Sequence, residues 1–206
     1  EAAKSYTTAQ DLQDLGKDDE AIAHYEKAVE IDPGFGRAYS GWALSAFKLG
    51  RTDEANALWD KALMYMDTMT ERERMRTLGL YYSVVTRNYP KAIESYAALV
   101  AKYPADDAAH NNLAVLNFFM LDFNAALAEG QKVLQVYPNV AIYRGNYALY
   151  AMYAGDFETA VAEARKLLES EPGYFNVWLP IAIHALSSGD TETARQAYES
   201  MQATGE

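Results

Sequence analysis

The sequence repeats itself at intervals of about 34 residues, and this period constrains the fold more than any other feature. Neighbouring members of one alanine column are one such period apart, except for a single longer step between the second and third members. That column consists of Ala21, Ala55, Ala92, Ala126, Ala160 and Ala194. A fixed period of this length is typical of repeat proteins built from stacked supersecondary units. We place six repeats at approximately 2–35, 36–69, 70–106, 107–140, 141–174 and 175–206.

Each repeat has the pattern of two helices separated by a tight turn. A second column of small residues precedes the alanines, and small residues on facing helices allow close packing. This column consists of Ala9, Ala43, Gly79, Ala114, Ala148 and Ala182. Between the columns stands a glycine in four repeats, at the place where a helix ends in a left-handed residue. Arg87 and Leu121 stand there in the other two, and a proline follows the second helix in most repeats.

This pattern resembles the tetratricopeptide repeat (TPR) family over essentially the whole chain. The best single match is DEAIAHYEKAVEIDP, Asp19 to Pro33. The resemblance implies an all-α, right-handed superhelical solenoid of about six TPR helix-turn-helix units, which form one array over residues 1–206. It also implies a concave groove lined by the first helix of each repeat, and binding of proteins rather than catalysis.

Composition excludes several classes of partner. The 18 basic residues against 29 acidic ones leave a net charge of -11. Such a chain is poorly suited to nucleic acid, whose binding depends on neutralising phosphates, or to an anionic membrane surface. No apolar stretch is long enough for insertion into a membrane. No signal peptide stands in the printed sequence. A targeting segment could lie outside it, so the compartment stays unknown, with the cytoplasm favoured.

The sequence carries no pattern of catalytic or metal-binding residues. Cysteine is absent, and His24, His110 and His184 fall in different columns of the repeat without the spacing of a metal site. Carboxylates such as Asp18 and Asp19 begin a helix, where the dipole favours them. We therefore expect no cofactor, no metal and no enzymatic activity.

The repeat spacing predicts which side chains line the groove. Asn112 and Asn146 are one repeat apart, and their amides suit the backbone of an extended peptide. The neighbouring apolar residues can receive its side chains, and Met is well adapted to varied shapes. Alternatively, the aromatic rings belong to the core and the asparagines bond locally. The predicted groove residues are Arg76, Leu80, Asn111, Asn112, Val115, Phe119, Asn146, Leu149, Met152 and Tyr153.

The longer step in the alanine column places an irregular, basic segment at the start of the third repeat. We expect two inserted residues in the loop before it and one in the turn between Arg87 and Pro90. Thr70 and Glu73 have the spacing of a capping box. Arg72, Arg74 and Arg87 define a predicted basic shoulder, which can attract an acidic partner segment or balance acidic helices nearby.

The last repeat carries two further signals. Its second helix has an apolar stripe with no following helix in the printed sequence, which predicts either that more repeats follow in the parent protein or that this C-terminal edge self-associates; alternatively, part of the stripe packs inward. The stripe consists of Ala194, Ala197, Tyr198 and Met201. Pro180 falls inside the predicted first helix at 175–188 and is expected to bend it.

Three functions are consistent with these features. The first is a non-catalytic scaffold that binds an extended peptide or helix in its groove. The second is a self-assembling structural or oligomerisation module. The third is the regulatory region of a larger signalling enzyme, because MTERERMRTLGLYYSVVTRNYPKAIE is similar to the repeat tails of some bacterial serine/threonine kinases.

Overall fold

Six pairs of helices follow one another in the computed structural model, which describes residues 1–204. Those residues contain twelve α-helices and no strand. The helices are α1 (Ala2–Asp14), α2 (Asp18–Ile31), α3 (Gly36–Lys48), α4 (Thr52–Met64), α5 (Glu71–Leu80), α6 (Tyr89–Lys102), α7 (Asp107–Phe119), α8 (Phe123–Val136), α9 (Ala141–Tyr153), α10 (Phe157–Ser170), α11 (Trp178–Ser188) and α12 (Thr191–Thr204). The all-α fold with about six helix pairs that the period predicts is confirmed.

The two columns of small residues bring the helices of each pair together. All six alanines of the second helices are 7% exposed or less. In the third repeat the close approach is visible at Gly79, where an added Cβ would lie 2.6 Å from the Tyr96 ring. A larger side chain at these places would therefore force the two helices apart.

Each pair is joined by a turn with one residue in the left-handed conformation. Its φ angle is positive at Gly16, Gly50, Gly155 and Gly189, and also at the two non-glycine residues, Arg87 (50°) and Leu121 (63°). In five repeats the amide that follows the left-handed residue bonds a carbonyl five residues earlier, as Asp156 does to Ala151 at 2.9 Å. This closes the Schellman motif at the end of the first helix.

The third repeat departs from the others inside its first helix. After α5 the chain continues as a π-helical turn over Tyr81–Val85, in which the Thr86 amide bonds the Tyr81 carbonyl at 3.2 Å. The prediction that an extra residue lengthens the turn after Arg87 is therefore wrong. A π-turn holds one more residue than an α-turn, so the helix itself absorbs the insertion.

The predicted capping box at the start of α5 is confirmed. The Glu73 amide donates to the Thr70 hydroxyl at 3.3 Å, and the Thr70 amide donates to the Glu73 carboxylate at 2.8 Å. The loop before it forms a short 3₁₀ turn over Met66–Thr68, and Met69 is buried. The two inserted residues of this loop thus help to bury apolar surface.

Pro180 does not bend a helix, contrary to the prediction. Residues Phe175–Val177 form a separate 3₁₀ turn, and α11 begins at Trp178. Pro180 therefore lies in the first turn of α11, where a backbone amide has no partner within the helix.

The chain divides into two compact units. The N-terminal unit, Glu1–Leu99, has a core around Trp59 and Tyr25. The C-terminal unit, Val100–Glu206, has a core around Leu167 and Tyr150. That all six repeats form one uninterrupted array remains a prediction.

Candidate functional site

Three pairs of side chains stand at matching positions on α7 and α9 in the C-terminal unit. Each member lies one repeat period from its counterpart. The pairs are Asn112 with Asn146, Val115 with Leu149, and Phe119 with Tyr153. The first four side chains are half-buried, whereas Phe119 is 58% and Tyr153 48% exposed. The two helices therefore present an amide pair, an aliphatic pair and an aromatic pair in succession.

Polar contacts at the N-terminal ends of α7 and α9 connect these helices. The Asn146 side-chain amide donates to the Asn111 carbonyl oxygen at 3.5 Å, and the Tyr143 hydroxyl donates to the Asp107 carboxylate at 3.1 Å. The first distance is long for a hydrogen bond. The Asn146 amide thus bonds locally, through a contact at the long limit of a hydrogen bond.

The C-terminal ends of α7 and α9 meet in an aromatic cluster. The Phe118 ring lies 5.0 Å from the Tyr153 ring, 5.5 Å from the Phe123 ring and 5.5 Å from the Tyr150 ring, measured between centroids. Tyr150 is buried, and this burial raises the pKa of its hydroxyl. The cluster holds the exposed ring of Phe119, which lies 6.2 Å from that of Phe118.

Met152 does not belong to an open surface, contrary to the prediction. It is 8% exposed and lies in a core cluster with Ala151 and Ala160. Leu179 of the next repeat packs against this cluster. Leu179 belongs to the next repeat, so the position of Met152 within α9 does not by itself predict its burial.

The remaining predicted groove residues, Arg76 and Leu80, lie in the N-terminal unit on α5. Both are half-buried, and Leu80 packs against the core cluster around Trp59. The structure therefore places eight of the ten predicted groove residues in the C-terminal unit and two in the N-terminal unit.

The three arginines of the predicted basic shoulder are exposed but are not gathered at one place. Arg72 and Arg74 lie in the first turns of α5, whereas Arg87 follows the π-helical turn. The helical segment between them is about 22 Å long at 1.5 Å per residue. Arg87 therefore lies at the opposite end of this segment from Arg72.

Two polar networks near the starts of α7 and α9 escaped the sequence analysis. His110 Nδ1 lies 2.6 Å from the Glu129 carboxylate, and its Nε2 lies 3.0 Å from the Pro104 carbonyl oxygen. One repeat later, Arg144 donates to the Glu163 carboxylate and to the Pro138 carbonyl oxygen. The sequence signal that could have revealed both networks is a histidine or arginine with a glutamate 19 residues later and a proline six residues earlier.

The first network stabilises the ionised form of the Glu129 carboxyl. Burial by itself would raise the pKa of the Glu129 carboxyl, but hydrogen bonds from Lys132 and His110 outweigh it and hold the pKa below its usual range. His110 also borders a cavity of about 420 Å³ that Val100, Lys132 and Tyr137 help to line.

The C-terminal edge is less apolar than predicted. Ala194 and Ala197 are 7% and 1% exposed, and Met201 packs against the core cluster that contains Leu167. The inward-packing alternative is therefore correct for these three residues. Tyr198 alone among the four is largely exposed, at 56%.

The residues described hold no group of three or more side chains that could bind a metal ion. Within the same part of the chain, no helix has the length and apolar character needed to cross a membrane.

The helix pairs, their small-residue columns and their left-handed turns define a helical-repeat protein. The tetratricopeptide repeat family model matches residues 84–141 and 146–205, and a second model of the same description matches residues 2–35. These segments cover well over half of the chain, which therefore belongs to the tetratricopeptide repeat family. Family and fold support a role in binding other proteins.

Solved structures of low sequence identity share the fold. The APC/C hetero-tetramer Cut9-Hcn1 matches with a TM-score of 0.73 and 21% identity over 99% of this chain, which spans 43% of the matched one. PilW, a type IV pilus biogenesis factor, has a TM-score of 0.73 and 19% identity over 98% of this chain and 92% of its own. YrrB, described as a TPR protein with an unusual peptide-binding site, has a TM-score of 0.52 and 21% identity over 91% of this chain and 92% of its own.

No curated protein matches the sequence significantly. The similarity of the central segment to kinase repeat tails is not shown by these comparisons, which identify the tetratricopeptide repeat alone.

Proposed function

We propose that this protein is a non-catalytic scaffold that binds an extended peptide or a helix of a partner protein along α7 and α9. The observation that carries the proposal is the matched series of amide, aliphatic and aromatic pairs on these two helices, each of them half-buried or exposed. Such a series supplies hydrogen bonds for a peptide backbone and apolar contacts for its side chains.

The proposal predicts that removal of the amide pair weakens partner binding without unfolding the protein. Asn112→Ala with Asn146→Ala should lower the affinity about tenfold, because two amide hydrogen bonds together contribute about 1–3 kcal/mol. The melting midpoint should change little, since the Asn146 bond to Asn111 is long at 3.5 Å. The measurement is capture of partners from the source cell, quantified by mass spectrometry and followed by titration of the recovered partner.

The matched control is Gln131→Ala with Gln135→Ala, which removes two exposed amides from α8. A partner retained equally by the wild type, the control and the asparagine variant would place the binding site elsewhere and refute the proposal.

Self-association is a second candidate, and it is supported by Tyr198. Its counterparts in the first two repeats, Tyr25 and Trp59, are 0% and 1% exposed and contact the helical segments that follow them, at Gly41 and Tyr81, whereas Tyr198 is 56% exposed. An uncovered side chain at an interior position of the repeat favours contact with another protein surface. The regulatory region of a larger signalling enzyme remains a further prediction.

A further inference from the structure

The turn between α7 and α8 carries an unusual concentration of exposed apolar residues. Phe119, Met120 and Leu121 are 58%, 48% and 74% exposed. Tyr153 at the end of α9 is 48% exposed and packs on the aromatic cluster that also holds Phe119. We name Phe119, Met120, Leu121 and Tyr153 the apolar turn patch; it lies wholly in the C-terminal unit.

The same turn in the other repeats is more polar or smaller. The corresponding three residues are Asp-Leu-Gly at 14–16, Lys-Leu-Gly at 48–50, Val-Thr-Arg at 85–87, Tyr-Ala-Gly at 153–155 and Ser-Ser-Gly at 187–189. The fold of the repeat therefore does not require three large apolar residues at this place.

Leu121 is strained as well as exposed. Its φ of 63° lies in the left-handed region, where four of the six repeats have glycine. A leucine is disfavoured in this conformation, and at 74% exposure its side chain gains little from packing within the chain. Strain of this kind at an exposed residue points to a role in recognition.

Acidic side chains and no basic ones surround the patch in the sequence. Asp122, Asp156 and Glu158 are exposed and lie at or next to the starts of α8 and α10. Residues 111–131 and 145–164 contain no Lys, Arg or His. The patch thus combines apolar and aromatic surface with exposed carboxylates at the starts of α8 and α10.

We propose that the apolar turn patch docks a basic amphipathic helix of a partner protein. This inference rests on the proposed function and specifies the chemistry of the partner. Apolar side chains of the helix cover Met120 and Leu121, and its Lys and Arg side chains lie beside Asp122, Asp156 and Glu158. The exposed rings of Phe119 and Tyr153 also suit cations, which bind to aromatic faces. The same negative charge disfavours an anionic membrane as the occupant.

The test uses a labelled amphipathic peptide of Leu and Lys, about 18 residues long so that it can form a helix, and a matched peptide with Glu in place of Lys. Fluorescence anisotropy at low salt should show saturable binding of the Lys peptide and none of the Glu peptide. Equal binding of both peptides, or of neither, would overturn the proposal.

Two sets of variants locate the binding. Asp122→Asn, Asp156→Asn and Glu158→Gln together remove the charge, and asparagine preserves the helix caps that Asp122 and Asp156 form with Ala125 and Thr159. Met120→Ser with Leu121→Asn removes apolar surface, and asparagine tolerates the left-handed conformation. Each set should weaken binding of the Lys peptide about tenfold or more.

The matched control is Leu15→Ser with Leu49→Ser, which changes the exposed leucines at the Met120 position of the first two repeats. It should bind as the wild type does. Equal affinities of the wild type and both sets of patch variants, at unchanged melting midpoints, would overturn the proposal.

Two further measurements separate this inference from the proposed function and from other occupants. In one outcome, Asn112→Ala with Asn146→Ala abolishes binding of the Lys peptide while the patch variants leave it unchanged. That result would support binding along α7 and α9 and refute the apolar turn patch, whereas the reverse result would support the patch alone.

Concentration-dependent association that is removed by Met120→Ser with Leu121→Asn would assign the patch to a second copy. Binding to phosphatidylcholine vesicles instead of the peptide would assign it to a lipid surface. Both results would overturn the proposal.

Discussion

His110 and Arg144 occupy the same position in consecutive repeats and face the same two kinds of acceptor. Each lies beside a glutamate of the following helix and the carbonyl of the preceding proline. Arginine donates to both acceptors at any ordinary pH. Histidine can do so only when both ring nitrogens carry protons. Arginine is therefore the residue type that satisfies both acceptors without a change of charge.

The lowered pKa of Glu129 predicts a pH dependence of stability at acidic pH. The contribution of this carboxylate is complete above its usual titration range and is lost as the pH falls through its lowered value.

Thermal melts of the wild type and of Glu129→Gln between about pH 3 and 7 measure this effect. The glutamine variant should lose the pH dependence that Glu129 causes, whereas Gln131→Ala, an exposed change on the same helix, should keep it. Equal slopes for the wild type and Glu129→Gln would contradict the expectation.

At this scale, residues that recur in every repeat are the ones that sequence reasoning places correctly. The alanine column is buried throughout, and the left-handed turn occurs even where Arg87 and Leu121 replace glycine. Met152 is misplaced because Leu179 of the next repeat covers it. Burial between repeats depends on the stacking distance, which one repeat's sequence does not contain.

At the scale of elements, the π-helical turn over Tyr81–Val85 suggests a deletion experiment. Removal of Ser83 should convert this turn into ordinary α-helix and give Gly79 and Ala92 the 12-residue separation that the two small-residue columns have in the other five repeats. The melting midpoint should therefore shift by only a few degrees (about 2–4 °C per kcal/mol at this size).

The control deletes Leu149 from α9, which holds no surplus residue. This deletion rotates Tyr150 and Ala151 by about 100° away from the core and should cost about 3–5 kcal/mol, as the loss of a large buried side chain does. Similar melting midpoints for the two deletions would mean that the π-turn does not absorb the extra residue.

Element positions were predictable from the sequence to within a few residues, but two irregularities were not. The segment GLYYSVV carries no glycine or proline within the turn itself that would distinguish a π-turn from an α-turn. Pro180 predicts a bend only if Phe175–Val177 belongs to the same helix, and these residues form a separate 3₁₀ turn instead. In both cases the spacing of the backbone hydrogen bonds determines the type of helical turn, and residue type indicates that spacing only weakly.

At the scale of the whole molecule, Tyr198 predicts concentration-dependent association. Sedimentation velocity of the wild type should show a rising sedimentation coefficient with concentration, and Tyr198→Lys should remove the rise. Because the chain carries a net charge of -11, added salt should strengthen the association by screening repulsion.

The matched control is Leu15→Lys, since Leu15 is 72% exposed in the N-terminal unit. A wild type that remains monomeric at all concentrations would rule out self-association through this edge.

The division into units at Leu99 and Val100 lies within α6, where no change in composition could have signalled it.

The π-helical turn also bears on how such a chain can evolve. The helix holds a surplus residue without losing the close approach of Gly79 to Tyr96. A single-codon insertion is therefore compatible with the fold at this place, because the later repeats keep their regular spacing after Arg87. The length of a repeat can thus change inside a helix as well as in a loop.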